Sequence, residues 1–343
     1  MLITTPIMLS MGIMAGTVIV MSSHHWLMAW AGLELNMLSI LPIISKTKHP
    51  RSIEASTKYF LTQAIASCLM LAASITNAWQ TGNWDITQMN DKYSSTVMVL
   101  ALTMKAGAVP LHFWLPEVMQ GSSLHTALLI STWQKIAPLT LLYSMSNHVQ
   151  TPLILTLGAL STMFGGWGGM NQTQLRKMMA YSSITNLGWA LMVLTSEPNM
   201  SAITITTYML MTIPTFLLMV MMTTKTLQNM STAWATSPTA TTTLMILILS
   251  MAGLPPLTGF LPKLLILNEL ITQNLTPLAT LVTLTSLLNL TFYLRVAYMT
   301  TLLNPPVSTS SMMKWRQSQN KTKPAMMAPT AVTTATAFPT IIP

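Results

Sequence analysis

Residues Ala101–Gly121 read ALTMKAGAVPLHFWLPEVMQG and follow the apolar run VMVL at Val97–Leu100. Hydropathy alone makes this the middle of a membrane helix. Lys105 stands inside it, however, with Gly107 and Pro110 close behind and a second proline at Pro116. A lysine at the centre of a membrane helix costs about 2.5–3.5 kcal/mol even on the most lenient insertion scale. Proline and glycine free backbone polar groups that hydrocarbon cannot satisfy. Both features ask for a polar interior at half-membrane depth and a helix broken there.

The pattern returns once. GAVPLHFWLPE (Gly107–Glu117) and GLPPLTGFLPK (Gly253–Lys263) both fit G-x-x-P-L-x-x-x-L-P. Gly107, Pro110, Leu111, Leu115 and Pro116 match Gly253, Pro256, Leu257, Leu261 and Pro262 at one constant offset. Each copy interrupts an over-long apolar segment, and each has a lysine within two residues, Lys105 before the first and Lys263 after the second.

The rest of the chain fits a membrane setting. Of 343 residues 51% are apolar and only 7% charged, against roughly 25% charged in soluble domains. Mean hydropathy is +0.53. Such a chain cannot cover itself with a soluble surface. The net charge of +9 suggests basic loops on one membrane side rather than nucleic-acid binding. The single cysteine, Cys68, excludes an internal disulfide framework and reads as core. No signal or transit peptide is visible at the N-terminus, so the first apolar segment reads as a retained span.

Apolar segments of about 20 residues fall at about 3–22, 25–45, 58–78, 95–121, 123–145, 152–170, 177–196, 201–223, 241–273 and 275–303, with a weaker eleventh from about 325 to the end. With the N-terminus inside, the inside loops hold Lys46, Lys48, Arg51, Lys58, Arg176, Lys177, Lys225, Lys314, Arg316, Lys321 and Lys323. The outside loops hold Asp85, Asp91, Lys92 and Glu197. Nearly all the loop cations share one side, as the positive-inside rule requires. Under that topology the two Gly/Pro motifs cross in opposite directions, the signature of an inverted repeat with discontinuous helices. The expected fold is an all-α polytopic membrane protein of about 11 helices. It is one antiporter-like domain, with repeat halves at about 25–145 and 152–303 and a terminal helix at about 325–343. Trp26, Trp79, Trp84 and Trp114 lie near span ends and read as an aromatic belt. The glycines of FGGWGGM, Gly165, Gly166, Gly168 and Gly169, suit close helix packing. No dinucleotide fingerprint, Walker loop or metal-spaced His/Cys cluster occurs.

Subtracting loops leaves few deep ionisable residues: Glu34, in the middle of WLMAWAGLELNML, Lys105, Lys135 and Lys263. Left uncompensated, the four would forfeit roughly 10 kcal/mol, so they should face each other or a hydrated interior. A structural ion pair is the plainer reading of Glu34. Ser131 and Thr132 share a helical face with Lys135 in LLISTWQKIAPL, a polar stripe that could hold water. Ser182, Thr185 and Asn186 form a second stripe, readable as a water path or as interhelical hydrogen bonds. Burial disfavours a lysine's charge and a nearby carboxylate restores it, so such a lysine can load and release a proton. Arg295 and Glu269 read as snorkelling or packing residues. His112 and His125 titrate near neutrality but serve equally well as helix-end residues.

Several longer runs, HWLMAWAGLELNMLSILPIIS, EASTKYFLTQAIAS, VPLHFWLPEVMQG, STWQKIAPL, GGWGGMNQTQLRKMMAYSSI and AGLPPLTGFLPK, resemble the chain 2 family of NADH-ubiquinone oxidoreductase. These are the antiporter-like membrane subunits of mitochondrial respiratory complex I, here in vertebrate form. The resemblance spans essentially the whole chain and is weakest at about 230–245 and after about 305. It implies a multi-pass subunit of the mitochondrial inner membrane, N-terminus in the matrix, translocating protons while NADH oxidation and ubiquinone reduction proceed in other subunits. Partners would be the other membrane and peripheral subunits of the complex and the lipid bilayer, with no nucleic acid. No cofactor is implied in this chain; NAD, FMN, iron–sulfur clusters and ubiquinone would belong to other subunits. Glu34 and Lys105 would form a coupling carboxylate–lysine pair, Lys135 would be the central proton relay, and Lys263 would pass protons on. His112, Ser182 and Asn186 are water-path candidates. Asn186 stands where relatives commonly have histidine, and an amide can orient water but not titrate. His125 also departs from the smaller polar residue expected there. The 32 methionines fit mitochondrial translation, and three leading helices of bacterial relatives would be missing. The alternatives are a stand-alone cation–proton antiporter of the same fold and a subunit that only anchors its neighbours.

Overall fold

The computed structural model describes residues 4–46, 48–236, 238–255 and 257–301. Among these no strand forms; two isolated antiparallel bridges, His25 with Asp85 and Gln174 with Thr226, are the only β pairing. The chain divides into two compact units, Met1–Ser161 with Leu194–Pro198 and Thr162–Val193 with Asn199–Pro343.

The first unit contains α1 (Thr4–Ser22), α2 (Trp26–Ser45), α3 (Pro50–Thr81), α4 (Lys92–Ala106), α5 (Trp114–Gly121), α6 (Leu124–Ser131) and α7 (Trp133–Ser144). A short 3-10 turn at Ser146–His148 then leads into α8 (Thr151–Met170), inside which the division between units falls. Local chemistry sets these ends. Pro50 occupies the first position of α3, where its missing N–H costs nothing, and His49 and Ser52 form a reciprocal cap. Gly82, at φ +73, ends the helix and donates to the Ala78 carbonyl. Asp91, in the loop before α4, caps that helix by accepting the Ser94 N–H at 2.9 Å. That backbone bond holds its carboxyl below the ordinary value.

Helices α1 and α2 meet through glycine. A Cβ at Gly16 would lie 2.8 Å from the Gly32 carbonyl oxygen, and one at Gly32 would meet Val20 and the Gly16 carbonyl. The α1–α2 turn is tied to the loop after α3, where Trp26 N–H donates to the Trp84 carbonyl at 3.1 Å. The His25 ring stacks on Trp84, centroids 5.5 Å apart.

The second unit holds the end of α8, then α9 (Leu175–Met192), α10 (Pro198–Met221), α11 (Leu227–Thr236), α12 (Pro238–Ala252), α13 (Phe260–Thr272) and α14 (Thr276–Thr300). A bridge like the first ties its α8–α9 turn to the loop after α10, with Leu175 N–H donating to the Lys225 carbonyl at 3.2 Å. The α8 glycines do bring helices close: Gly165 and Gly168 face Thr185 and Tyr181 of α9, while Gly166 and Gly169 face Asn289 and Phe292 of α14.

Both Gly/Pro motifs sit at helix interruptions. Helix α4 ends at Gly107, φ +84, and α12 at Gly253, φ +81, conformations that side chains resist. The Gly107 N–H donates to Thr103 and Met104 carbonyls. Pro110 lies between α4 and α5, while Pro116 and Pro262 are each the third residue of the next helix, where N–H groups have no helical partner. Pro256 lies outside the described residues, as do the eleventh span and the cations from Lys314 onward.

Among the described residues six helices, α1, α2, α3, α8, α10 and α14, are long and apolar enough to cross a membrane. The expected spans at 95–121 and 241–273 are the interrupted pairs α4/α5 and α12/α13. Several expectations need correction. The segment 123–145 is not one helix: it breaks at Thr132, φ −113 and ψ −75. There the Ser131 and Thr132 hydroxyls and the Thr132 N–H all converge on the Leu128 carbonyl, so back-bonding competes with the helix ladder. Arg51 and Lys58 lie on α3, not in a loop. Helix α11 occupies a stretch read as loop, burying Leu227, Met230 and Ala233 at helical spacing. Cys68 is exposed, although its neighbour Ser67 is buried with Tyr59, Gln63, Ala66 and Met70. Trp79 is 88% exposed, as a belt residue should be, but Trp26 and Trp114 are buried. Trp114 Nε1 donates to the Met104 carbonyl at 3.1 Å, capping the first broken helix.

Two outcomes follow from this packing. Gly32→Leu should drive α1 from α2 at a cost of about 1–3 kcal/mol, read as a reduced yield of folded chain in mild detergent, whereas Met28→Leu on the exposed face should not. Trp114→Phe keeps the ring but removes the donor, and should lower stability by about 1 kcal/mol, seen as an earlier thermal inactivation midpoint.

Candidate functional site

In the first unit, Lys105 and Lys135 line one small cavity together with Asn36, Tyr59, Gln63 and Gln134. Its space admits the centre of roughly one water molecule. Lys105 is 6% exposed and Lys135 4%. Lys105 comes from the last turn of α4, just before Gly107, where the C-terminal end of a helix favours a cation. Lys135 is the third residue of α7, directly after the interruption at Thr132.

Glu34 lies on α2, half-buried, within electrostatic reach of both Lys105 and Tyr59. Among the described residues it forms no direct ion pair with Lys105, and its buried Oε1 has no hydrogen-bond partner. His112 is buried in the link between α4 and α5, with Nδ1 3.3 Å from the Pro110 carbonyl oxygen. His125 is exposed.

Four polar residues of this cavity escaped the sequence reading: Asn36, Tyr59, Gln63 and Gln134. Gln134 Nε2 donates to Asn36 Oδ1 at 2.7 Å, Tyr59 Oη donates to Gln134 Oε1 at 3.4 Å, and Gln63 Nε2 donates to the Lys105 carbonyl at 3.4 Å. Their signal was present as uncharged polar side chains inside apolar segments. A second omission is ionic. Lys58 pairs with Glu54 of its own helix and Glu117 of α5, both at 2.6 Å, which ties the helix after the first break to α3.

In the second unit, Lys263 lines a cavity with Asn186, Trp189, Thr204, Thr207 and Tyr208. Its Nζ donates to the Ala252 carbonyl at 2.7 Å, reaching from the first turn of α13 to the end of α12. Gly253 must be glycine for this contact, since a Cβ there would meet the Lys263 Nζ. Ser182 is fully buried and donates to the Met179 carbonyl. Its own carbonyl accepts both Thr185 Oγ1 and Asn186 Nδ2. Ser182 and Thr185 therefore spend their donors on backbone, while Asn186 also reaches the cavity. Arg295 Nη1 donates to the Met170 carbonyl at the end of α8, and Glu269 accepts from Gln273. Among the described residues no three His, Cys, Asp or Glu come together to hold a metal. The chemistry available is that of buried amines, a carboxylate and polar groups beside water-sized spaces. Such groups bind and hand on protons.

Comparison with known proteins agrees with this architecture. Residues 23–289 match the family NADH:quinone oxidoreductase/Mrp antiporter, TM, and residues 290–343 match NADH dehydrogenase subunit 2 C-terminus. NADH-ubiquinone oxidoreductase chain 2 of Gallus gallus is 49% identical over 326 residues, 95% of this chain and 93% of that one. Its counterpart in Varanus timorensis is 51% identical over 306 residues, 89% of each. Among solved structures, a chain of respiratory complex I from Thermus thermophilus superposes with a TM-score of 0.81 at 23% identity, covering 92% of this chain and 74% of that one. A chain of the Mrp complex from Dietzia reaches 0.78 at 17% identity, covering 88% and 61%. These two share the fold, and the closer sequence likeness fixes the family. Matched by family along its whole length from residue 23 and nearly half identical to vertebrate relatives, the chain belongs to the NADH-ubiquinone oxidoreductase chain 2 family, the antiporter-like subunits of the complex I membrane arm.

Proposed function

We propose that protons cross the membrane in this subunit on Glu34, Lys105, Lys135 and Lys263. As a family member the chain is a multi-pass subunit of the mitochondrial inner membrane, working within the proton-translocating NADH:ubiquinone reductase. The observation that carries the residue assignment is the shared cavity of Lys105 and Lys135, two buried amines beside a space of about one water. Like charges that share one poorly solvated cavity repel, so a proton on one lysine disfavours a proton on the other. Glu34, with an unsatisfied buried oxygen, stabilises the charge on Lys105 when near it. Moving that carboxylate toward or away from Lys105 shifts the proton between the lysines. Lys263 is the corresponding amine of the second unit, with Asn186 beside it to orient water. His112 and Ser182 flank the path as polar groups.

Three further parts of the reading rest on sequence. The loop cations Lys46, Lys48, Arg176, Lys177 and Lys225 face the matrix, with the N-terminus on that side. The repeat halves run from about 25–145 and 152–303, followed by a terminal helix at about 325–343. Each half carries one Gly107- or Gly253-type break and one tied turn. The redox groups lie in other subunits, and energy arrives here as changes in charge and conformation.

Lys135→Ala in the assembled complex should reduce NADH-driven proton pumping about 100-fold, in the range for loss of a proton-transfer group, without loss of the assembled band. Wild-type pumping would end the relay role of Lys135. Native electrophoresis with an NADH dehydrogenase stain should place the polypeptide only in the large active band. A free, small species carrying ion flux would instead establish the stand-alone antiporter.

A further inference from the structure

Proton carriers account for the lysines of the first-unit cavity but not for its neutral polar side chains. Three of these form a chain drawn from three helices. Gln134 of α7 donates Nε2 to Asn36 of α2 at 2.7 Å, and Tyr59 of α3 donates to Gln134 Oε1 at 3.4 Å. Asn36 and Tyr59 are each 2% exposed. A primary amide has two N–H donors and two lone pairs on oxygen. Asn36 takes one donor and Tyr59 one lone pair, so Gln134 keeps one of each for a water molecule in the cavity. Gln134 also directly precedes Lys135 in the first turn of α7, so the interruption at Thr132 sets where both side chains leave the helix.

We infer that Gln134 is a positioning residue for proton transfer between Lys105 and Lys135, its amide held by Asn36 and Tyr59 so as to orient the relaying water. The inference rests on the proton path proposed above. In the step, the ammonium of one lysine gives a proton to the water, and the water gives another of its protons to the neutral amine of the other lysine. One N–H bond breaks, one forms, and the positive charge moves between the lysines. The water is regenerated and the amide keeps its protons. An amide suits this place because it donates and accepts at once, yet is too weak a base to trap the proton near neutral pH.

The test uses the intact complex carrying Gln134→Leu, Gln134→Glu or Lys135→Ala in this chain, with pumping normalised to the NADH-active band on native gels. Gln134→Leu should lower pumping about tenfold, the effect of roughly one hydrogen bond lost from the transfer step. In Gln134→Glu the protonated carboxyl group still offers an O–H to Asn36 and a carbonyl to Tyr59, whereas the carboxylate has no donor. Pumping by that variant, relative to the unsubstituted complex, should therefore rise as pH falls. Among the described residues the titratable groups facing the site are Glu34 on α2, Tyr59 and Cys68 on α3, Lys105 on α4 and Lys135 itself, and the ratio removes their common contribution. A merely structural bond between helices would instead show as loss of the NADH-active band, with pumping per band unchanged. Pumping by Gln134→Leu within about twofold of the unsubstituted complex, or a flat ratio for Gln134→Glu, overturns the inference. If Lys135→Ala is impaired in the same experiment, the path stands and only the positioning role fails. If Lys135→Ala pumps normally, the path fails as well.

Discussion

An amine cannot sit at half-membrane depth without something to solvate it, and an unbroken helix leaves its own carbonyls engaged. The interruption at Gly253 meets that requirement directly, since Lys263 donates to the Ala252 carbonyl at the end of α12, while the one at Gly107 ends α4 beside the polar cavity that Lys105 lines. Each break in turn needs a residue able to hold a positive φ, and glycine supplies it at both places. The cavities, the buried polar chain and the lysines all depend on this combination.

Charge made the framework readable from sequence. Segments of about 20 apolar residues and the one-sided distribution of loop cations gave the helix pattern, since lipid and membrane insertion act on those properties directly. The repeated G-x-x-P-L motif marked both breaks, because glycine and proline change the backbone itself. The interruption at Thr132 was not visible in the same way. It arises from two hydroxyls and an N–H converging on the Leu128 carbonyl, and serine and threonine do this in many helices without breaking them. Helix α11 escaped because its apolar residues are few and its length short. Trp114 was misread because a span end normally lies at the lipid–water interface, whereas the span end made by a break lies inside the protein.

The site followed the same division. Each ionisable residue announces itself by the energy it would cost in lipid, so Glu34, Lys105, Lys135 and Lys263 stood out. A neutral amide or phenol costs less and is common in membrane helices. Asn36, Tyr59, Gln63 and Gln134 therefore acquire meaning only once α2, α3, α4 and α7 bring them to one cavity. The Lys58 pairs with Glu54 and Glu117 also required the fold, because the Glu117 partner is distant in sequence.

The two breaks share a backbone conformation but not a chemistry. At the first, the freed carbonyl of Met104 is held by the indole N–H of Trp114, a donor that does not titrate. Lys105 is thereby left to the cavity and to the field of Glu34. At the second, the freed carbonyl of Ala252 is held by Lys263 itself. A charged donor forms a hydrogen bond roughly twice as strong as a neutral one, so the proton on Lys263 and the strength of that cap rise and fall together. The Trp114 cap carries no charge to lose, whereas a neutral Lys263 would make a weaker contact across its own break. Two breaks alike in their glycine conformation thus differ in the side chain that supplies the cap.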